Sequence, residues 1–411
     1  MRRKRILFVG HTSSPGGAEL ALLRMIRHLD RAEYEPIVLL FEEGELSDML
    51  RGEGVSVHLV PLFSEAKEMS RHAVRWSLLK SYRIAAGTLR HIGKLAAKIK
   101  ELQVDVVHTN TLKADILGGC ASVLARRPLV WHVHDRIAAD YMPSAAVKLI
   151  RGLARLLPKH IIANSEATLK TLPSSPKRCT VVYPGIDLAD FTPKRVLTTA
   201  EGIDEAEANL KGAVTVGIVG RIGPTKGQLV FVEAALLVNK RYPATRFKII
   251  GRAMFNDQPY EDELKARIGE LKLDQVQMMG YWSNVSEAMF KLDMVVHAST
   301  VPEPFGQVVV EAMACGKVAI ASNAGGITEI VRNGETGWVV PPNDAQAIAE
   351  RIIWCIENPA EALLMGTRAA EEVSRRFTIQ ETALRVERVY RQVLSIPEPA
   401  AGEPAPTTAS V

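Results

Sequence analysis

The sequence predicts an α/β protein built from two doubly wound parallel sheets. Short runs rich in β-branched residues alternate with segments of helical period along most of the 411 residues. Strands separated by helices favour parallel pairing through right-handed crossovers. The chain is longer than one hydrophobic core usually accommodates, so we expect two domains with a cleft at the carboxyl ends of their strands.

The strands of the first half are predicted at Arg5–Val9, Pro36–Phe41, Val55–Val60, Val104–Thr109, Pro128–His134, Lys159–Ala163 and Cys179–Tyr183. Those of the second half are predicted at Val214–Val219, Arg246–Ile250, Val276–Met279, Met294–His297, Val318–Ala321 and Gly337–Val340. Apolar residues at helical spacing predict helices at Ala18–Leu29, Gly227–Arg241, Tyr260–Leu271, Val285–Leu292, Ala345–Glu357 and Ile379–Leu394.

The alternation pauses in a polar stretch at Leu188–Gly212, where we place the linker between the domains. The predicted divisions are a first domain at 1–190, a linker at 191–212, a second domain at 213–376, a helical segment at 377–396 and a tail at 397–411. The tail is rich in Pro, Ala and Thr and is expected to be disordered.

Composition is that of a globular protein, with 47% hydrophobic and 24% charged residues. The four cysteines are far apart and form no metal-like or redox-like pair, which favours a reduced, cytoplasmic protein. No run reaches the roughly 18 to 20 apolar residues that span a bilayer. Residues 1–190 carry 28 basic and 19 acidic side chains, and the rest carry 23 and 27, so different partners are expected for the two halves. No nucleic-acid partner is expected.

Two glutamates stand eight positions apart in the segment from Glu303 to Gly316. Pro304 discourages helix at Glu303, and Gly306 permits a close approach of the backbone. The run from Phe305 onward is predicted to be a buried helix carrying Glu311. Buried carboxylates need partners, and the hydroxyls of a sugar or a ribose are suitable ones.

A glycine-rich loop follows the strand Val214–Val219 and carries Gly220, Arg221, Lys226 and Gly227. Arg221 can bind phosphate oxygens with two hydrogen bonds, and Lys226 adds a point charge. The helix that follows presents free N–H groups, which also favour phosphate. The spacing matches neither the dinucleotide fingerprint nor the P-loop, so a simple turn with solvated charges is the alternative.

The equivalent loop after the first strand contains Gly16 and Gly17 but no cation, so it would approach a ligand through its backbone. The run Trp131–Asp135 places His132 and His134 on one face of a strand, with His134 nearer its carboxyl end. His134 is a candidate hydrogen-bonding or acid/base group at the cleft, and His132 a candidate structural residue. Metal ligation by these histidines lacks an evident third ligand.

The stretch 69–102 shows apolar residues at helical spacing, with Arg83, Arg90, Lys94 and Lys98 on another face. One interpretation is a helix or two packed on the sheet with a solvated basic face. The alternative is a surface for an anionic membrane or a lipid-linked acceptor, with Trp76 and Tyr82 as interfacial anchors.

Taken together, the motifs resemble the GT4 family of retaining glycosyltransferases. The residues that carry the resemblance are Gly16 to Glu19, His134, Asn164-Ser165, Tyr183 to Asp187, Gly220-Arg221, Lys226-Gly227, Glu303 to Gly306, Glu311 and Gly325-Gly326. The resemblance implies the GT-B architecture, in which two Rossmann-like domains face each other. It also implies an acceptor-side first domain, a nucleotide-sugar-binding second domain, and a C-terminal helix that crosses back to the first domain.

The same resemblance implies a role for each matching residue. Arg221 and Lys226 would bind the donor diphosphate, and Glu311 would hold the ribose hydroxyls. Glu303, with the backbone at Phe305 and Gly306, would hold the transferred sugar. His134 would lie beside that sugar, and Gly16 and Gly17 would approach the diphosphate or the acceptor.

The resemblance implies no metal and no cofactor, which agrees with the lack of an Asp-x-Asp triplet in the sequence. The predicted partners are a nucleotide sugar and a glycan or lipid-linked acceptor, with contact to the inner face of a membrane through the 69–102 region. Cell-surface polysaccharide or glycolipid assembly is the expected setting. A nucleotide-sugar 2-epimerase and a non-catalytic nucleotide-binding subunit remain as alternative functions.

Overall fold

The computed structural model describes residues 2–62, 78–173, 178–191, 214–254 and 256–397, of which 78–83 are described by their backbone alone. Within these ranges the chain forms two parallel sheets flanked by helices. The predicted α/β class is therefore confirmed. The predicted anchor Trp76, most of the predicted linker and the end of the chain from 398 lie outside the described residues.

The first sheet has the strand order β3-β2-β1-β4-β5-β6-β7, and all its neighbouring strands are parallel. Its strands are β1 Lys4–Gly10, β2 Tyr34–Leu40, β3 Ser56–Leu59, β4 Val106–Thr109, β5 Leu129–Val133, β6 His160–Ala163 and β7 Cys179–Val181. The helices of this region are α1 Gly17–His28, α2 Glu45–Gly52, α3 Leu78–Glu101, α4 Leu112–Leu124, α5 Ser144–Leu156, α6 Glu166–Leu169 and α7 Leu188–Phe191.

The second sheet repeats the arrangement with the order β10-β9-β8-β11-β12-β13. Its strands are β8 Thr215–Val219, β9 Arg246–Ile250, β10 Val276–Gly280, β11 Met294–His297, β12 Val318–Ser322 and β13 Trp338–Val340. The helices are α8 Gln228–Asn239, α9 Gln258–Glu270, α10 Val285–Phe290, α11 Gln307–Ala314, α12 Ile327–Ile330, α13 Ala345–Glu357, α14 Pro359–Arg376 and α15 Ile379–Leu394, and Pro224–Lys226 forms a 3₁₀ turn before α8.

Each sheet reverses its strand order beside its first strand, between β1 and β4 and between β8 and β11. Such switch points open a crevice at the carboxyl ends of the strands, where ligands of doubly wound sheets bind. The loops after β1, β5, β8 and β11 carry the polar motifs singled out above. The topology therefore brings residues that are far apart in the sequence to facing edges of the two sheets.

The segment that follows β7 lies beside the segment that precedes α15. Ile186 and Thr378 form a parallel bridge, in which the Ile186 N–H donates to the Phe377 carbonyl at 2.9 Å. A Cβ on Gly185 would lie 2.2 Å from the Thr378 oxygen, so this position requires glycine. From this crossing α15 runs back over the first sheet, where its buried residues Val386 and Tyr390 join the core of β1, β2 and α1.

Candidate active site

Lys226 and Glu303 meet at the switch point of the second sheet. The Lys226 Nζ lies 2.5 Å from Glu303 Oε1, and the Ser299 hydroxyl donates to the same oxygen at 2.6 Å. His297, at the end of β11, places its Nε2 3.6 Å from that carboxylate. Burial alone would raise the pKa of Glu303, but Lys226 and His297 outweigh it and hold this pKa below its usual range. The Glu303 carboxylate is therefore ionised and held by three side chains.

Gly227 explains how Lys226 reaches this position. It has a φ of +72°, and a Cβ there would lie 1.9 Å from the Ala298 carbonyl oxygen. Only glycine adopts this conformation at such a close approach. The Lys226-Gly227 pair is thus placed against the loop after β11, and the N-terminus of α8 opens beside Glu303.

Arg221 lies in the loop after β8, where its guanidinium forms an ion pair with the Asp257 carboxylate. The Arg221 side chain is 28% exposed, so it reaches the edge of the crevice. Asp257 precedes α9 and was not singled out from the sequence, because 36 positions separate the partners. The ion pair sets the orientation of the Arg221 guanidinium, which could not be predicted from the sequence.

The Glu303 loop packs on the two glycines that follow β12. The Gly326 N–H donates to the Glu303 carbonyl at 2.9 Å, and a Cβ on Gly325 would lie 1.9 Å from that carbonyl oxygen. Gly325 has a φ of +70°, which again favours glycine. These contacts give Gly325 and Gly326 a packing function beneath Glu303.

Phe305 and Gly306 connect this loop to α11. Gly306 has a φ of +119°, and a Cβ there would lie 2.4 Å from the Ile327 side chain. Phe305 is buried and stacks on Tyr183 with ring centroids 5.7 Å apart. The predicted helix therefore begins at Gln307, two residues later than the sequence suggested, because Gly306 is its left-handed N-cap.

Glu311 is buried on α11 and contacts the first domain. Arg24 of α1 donates to Glu311 Oε1 at 3.0 Å, and both side chains are almost fully buried. Burial raises the pKa of Glu311, and Arg24 opposes this rise. Gln307 lies one turn earlier on α11. With its amide oriented to satisfy both neighbours, its nitrogen donates to the Gly17 carbonyl at 3.1 Å and its oxygen accepts from Arg24.

Gly16 and Gly17 lie at the N-terminus of α1, facing α11. A Cβ on Gly16 would lie 2.7 Å from Glu19 Oε2, so the glycine leaves room for this carboxylate. Glu19 is buried, which raises its pKa to about 7, and the charge of Asp135 adds to the rise. The start of α1 therefore offers a ligand more than backbone groups, because the Glu19 carboxyl group there changes charge near neutral pH.

His134 lies just beyond the carboxyl end of β5, at the same edge of the first sheet as the switch point between β1 and β4. Its Nε2 is 3.0 Å from Asn110 Oδ1, and the Asn110 amide donates to the Ala18 carbonyl at 3.0 Å. Burial lowers the pKa of His134 to about 4, so the imidazole is neutral at ordinary pH. Asn110, which follows β4, was missed from the sequence because a lone Asn after a strand is also a common turn residue.

A column of rings continues beneath His134. His132 packs on it with ring centroids 4.2 Å apart, and His132 Nδ1 lies 3.2 Å from His108 Nε2. The His108 Nδ1 in turn lies 2.8 Å from the Tyr390 hydroxyl of α15. His132 is buried, but its Nε2 has no hydrogen-bond partner among the described residues. Its predicted structural role is therefore only partly satisfied.

Further contacts hold the two sides of the crevice together. Glu329 of α12 accepts hydrogen bonds from the N–H groups of Glu166 and Ala167, at 2.8 and 2.7 Å. The Ser165 hydroxyl donates to the Pro304 carbonyl at 2.5 Å. The loop that carries Glu303 is thus tied directly to the first domain.

Within the described part of the chain, no group of three or more His, Cys, Asp and Glu side chains is arranged to hold a metal ion. Over the same residues, no helix is both long and apolar enough to span a membrane.

Comparison with known proteins places these features in a family. Residues 15–190 match the model described as Glycosyltransferase Family 4, and residues 201–372 match the model described as Glycosyl transferases group 1. Together the two models account for the regions that contain the facing loops, α1, α8 and α11.

Individual relatives agree with the family models. The chain is 31% identical over 216 residues to the lipopolysaccharide core biosynthesis mannosyltransferase LpcC of Rhizobium leguminosarum, a match covering 52% of this chain and 60% of that relative. It is 24% identical over 349 residues to an Escherichia coli UDP-Gal:alpha-D-GlcNAc-diphosphoundecaprenol alpha-1,3-galactosyltransferase, covering 82% of this chain and 84% of the relative.

Among solved structures, Anabaena HepE in complex with UDP and glucose superimposes with a TM-score of 0.79. It is 28% identical, and the match covers 94% of this chain and 99% of HepE. The expected GT-B fold and the expected family are both confirmed. The chain belongs to the GT4-type glycosyltransferases, which transfer a sugar from a nucleotide sugar to an acceptor.

Proposed function

We propose that the protein is a retaining glycosyltransferase that uses a uridine-diphosphate sugar and needs no metal. The observation that carries this proposal is the meeting of Lys226 with Glu303 beside the N-terminus of α8. A cation, a carboxylate and free helix N–H groups lie together at the switch point, where a nucleotide binds in doubly wound sheets. The uridine base is suggested by the UDP bound to HepE.

Each group has a distinct task in this proposal. Arg221 and Lys226 bind the diphosphate and stabilise the negative charge that develops as it leaves. Glu303 accepts hydrogen bonds from hydroxyls of the transferred sugar, and Glu311 accepts from the ribose. His134 is neutral, so it contributes hydrogen bonds beside the sugar rather than a positive charge.

The proposed chemistry is attack on one face of the sugar. The bond from the anomeric carbon to the diphosphate oxygen breaks, and the acceptor oxygen forms a new bond on the same face. The acceptor proton passes to a diphosphate oxygen, so no protein base is required. The charge of the leaving group is balanced by Arg221 and Lys226, which is why no metal is needed in this proposal.

Thermal-shift screening against nucleotide sugars, followed by product analysis, tests the proposal. We expect a selective stabilisation by one UDP sugar, transfer with the anomeric configuration kept, and full activity in excess EDTA. An inverted product or loss of activity in EDTA would contradict the mechanism. Clean C2 epimerisation of the donor without an acceptor would favour the epimerase instead, and no shift with any nucleotide sugar would contradict donor binding.

We also propose peripheral contact with an anionic membrane through α3. Leu89 is 71% exposed on this helix, and the side chains of Arg90 and Lys94 are exposed near it. An exposed apolar residue flanked by cations favours a headgroup surface, where a lipid-linked acceptor would also lie. Co-sedimentation with phosphatidylglycerol vesicles at low and high salt tests this contact. Equal binding to neutral phosphatidylcholine vesicles would contradict it.

A further inference from the structure

The Arg24–Glu311 ion pair joins the two domains at a residue that is proposed to bind the donor. Arg24 comes from α1 of the first domain, and Glu311 comes from α11 of the second. Their side chains are 12% and 8% exposed, so the contact between the guanidinium and Oε1 is largely shielded from water and salt. An ion pair in such surroundings interacts more strongly than a surface pair does.

Arg24 contacts only one side of the carboxylate. Its NH2 nitrogen donates to Oε1 of Glu311 at 3.0 Å. Among the described residues no donor reaches Oε2, and this atom is not among the buried polar atoms that lack a partner, so it is open to solvent. An ionised carboxylate has about four lone-pair sites. The pair therefore leaves Glu311 free to accept from hydroxyl groups.

Other groups hold the Arg24 side chain in place. Its guanidinium lies over the Phe191 ring at 5.6 Å from the centroid, and the Gln307 amide oxygen accepts from NH1. Phe191 is buried and belongs to the core cluster that includes α11. Arg24 is therefore held by Glu311 and Gln307 of α11 and by Phe191 of α7, which packs in the same core as α11, so its position depends on the contact between the two domains.

We propose that Arg24 is a positioning residue for donor binding, which pins Oε1 of Glu311 and leaves Oε2 directed to the ribose hydroxyls. This inference rests on the proposed donor site. It makes the ribose contact a joint property of both domains, because the residue that orients the second-domain ligand belongs to the first. Donor affinity then depends on domain closure, because closure brings Arg24 to the carboxylate that contacts the nucleotide.

The charge of Arg24 has a second effect on Glu311. Burial raises the Glu311 pKa, and Arg24 is the charged group that lowers it. The nearby Cys315 thiol stays neutral, since burial raises its pKa to about 12. Among the other ionisable groups on elements around α11, Glu19 of α1 is buried with its pKa raised to about 7, and burial lowers the pKa of Lys317 just beyond α11. Further groups are paired or exposed: His28 with Asp187, Glu287 with Lys291, Glu372 with Arg376, Glu329 with the backbone of α6, and exposed Asp190.

Replacing Arg24 by Met should therefore raise the Glu311 pKa further. A carboxyl group with a raised pKa binds its proton at higher pH, so the ionised form that accepts from ribose is lost sooner as the pH falls. Below the raised pKa, affinity for a ligand of the ionised form falls about 10-fold per pH unit.

Calorimetric titration with UDP from pH 6.0 to 8.5 tests the proposal, because UDP contains the ribose and the diphosphate. We expect Arg24→Met to weaken UDP binding roughly 10-fold or more at pH 6.0 and to recover toward wild type at pH 8.5. Arg24→Lys keeps the charge and should bind with intermediate affinity. Arg27→Met on the same helix removes a surface pair with Glu53 and should match wild type.

The Arg24→Met protein with Glu311→Gln added should lose the extra pH dependence that Arg24→Met introduces relative to wild type, since the Glu311 carboxyl group no longer titrates. Tighter UDP binding by Arg24→Met would overturn the proposal and show that Arg24 competes with the ribose. An equal loss at every pH would also overturn it, because a purely structural contact gives that result. Wild-type protein that binds neither UDP nor any nucleotide sugar would overturn the proposed function itself, and this inference with it.

Discussion

The ammonium of Lys226 lies 2.5 Å from the carboxylate of Glu303, so two groups expected to hold different parts of the donor hold each other. The sequence separates them by 77 positions. Lys226 would balance the diphosphate, and Glu303 would accept from sugar hydroxyls. Because the two groups are in contact, a change in either one alters the charge at both.

Lys226→Ala should reduce turnover strongly while the protein stays folded. It removes a positive charge beside the leaving group, a type of loss that costs about 10²- to 10³-fold in kcat. Steady-state transfer assays with melting temperatures measure both effects. Lys265→Ala, which removes a half-exposed surface lysine of α9, is the matched control and should leave kcat unchanged. Comparable transfer by a folded Lys226→Ala protein would contradict the assigned role.

Glu303→Gln should make the free energy of unfolding less dependent on pH in the acid range. The Glu303 pKa is lower in the folded protein than in the unfolded chain, so its contribution is present above about pH 4.5 and is lost as the pH falls below that value. Urea unfolding between pH 6 and pH 3 should show a steeper decline for wild type than for Glu303→Gln. Parallel declines would mean that the pairing does not stabilise the fold.

Gly227→Ala should destabilise the second domain and lower activity together. A left-handed φ costs a non-glycine residue about 1–2 kcal/mol, and the contact with the Ala298 carbonyl adds overpacking, so we expect a loss of at least about 2 kcal/mol. Gly269→Ala on α9 has open space at its Cβ and should stabilise by about 0.5–1 kcal/mol. Denaturant unfolding measures both changes in the free energy of unfolding, which should have opposite signs.

Glu329→Gln should favour an open arrangement of the domains. The Glu329 carboxylate accepts two N–H groups from α6, and hydrogen bonds to charged groups contribute about 1.5–3 kcal/mol. The donor KM should rise several-fold, and X-ray scattering should show a larger radius of gyration. Glu335→Gln, which alters an exposed pair with Arg332, is the control. Unchanged scattering and KM would show that these bonds do not hold the closed form.

The buried histidines should make the protein less stable as the pH falls below about 6.5. Burial lowers the pKa of His134 to about 4 and that of His108 to about 3, so the unfolded chain binds protons first. Each such histidine contributes about 1.4 kcal/mol per pH unit in that range. Unfolding at pH 7.5 and 5.5 measures the loss. His108 and His134 imidazole signals of the folded protein that titrate near pH 6.5 would contradict this assignment.

The order of elements could be predicted because periodicity in a doubly wound fold is a local signal. Most predicted strand ends differ from the structure by one or two residues, as at Val104, where the strand begins instead at Val106. The pairings of candidate residues were not predictable in the same way. Asp257 and Arg24 were missed because their partners lie in other elements, and only the folded crevice brings them together.

The loops that form the site could be predicted from the sequence, but the contacts between their side chains could not. Glycines beside charged residues after a strand identified the segments containing Lys226 and Glu303. The same pattern gave no sign that Ser299 and His297 also hold the Glu303 carboxylate, since both belong to an otherwise apolar strand end. Sequence patterns report what a residue can do, whereas its partner depends on tertiary packing.

The bridge between Ile186 and Thr378 limits how the chain can be divided into fragments that fold on their own. A fragment that stops before α15 would strip Val386 and Tyr390 from the core of the first sheet and expose an apolar surface to water. We therefore expect the amino-terminal half to be insoluble when expressed alone. Joining α15 to it through a short flexible segment should restore solubility, because this folding unit is assembled from two segments that lie far apart in the sequence.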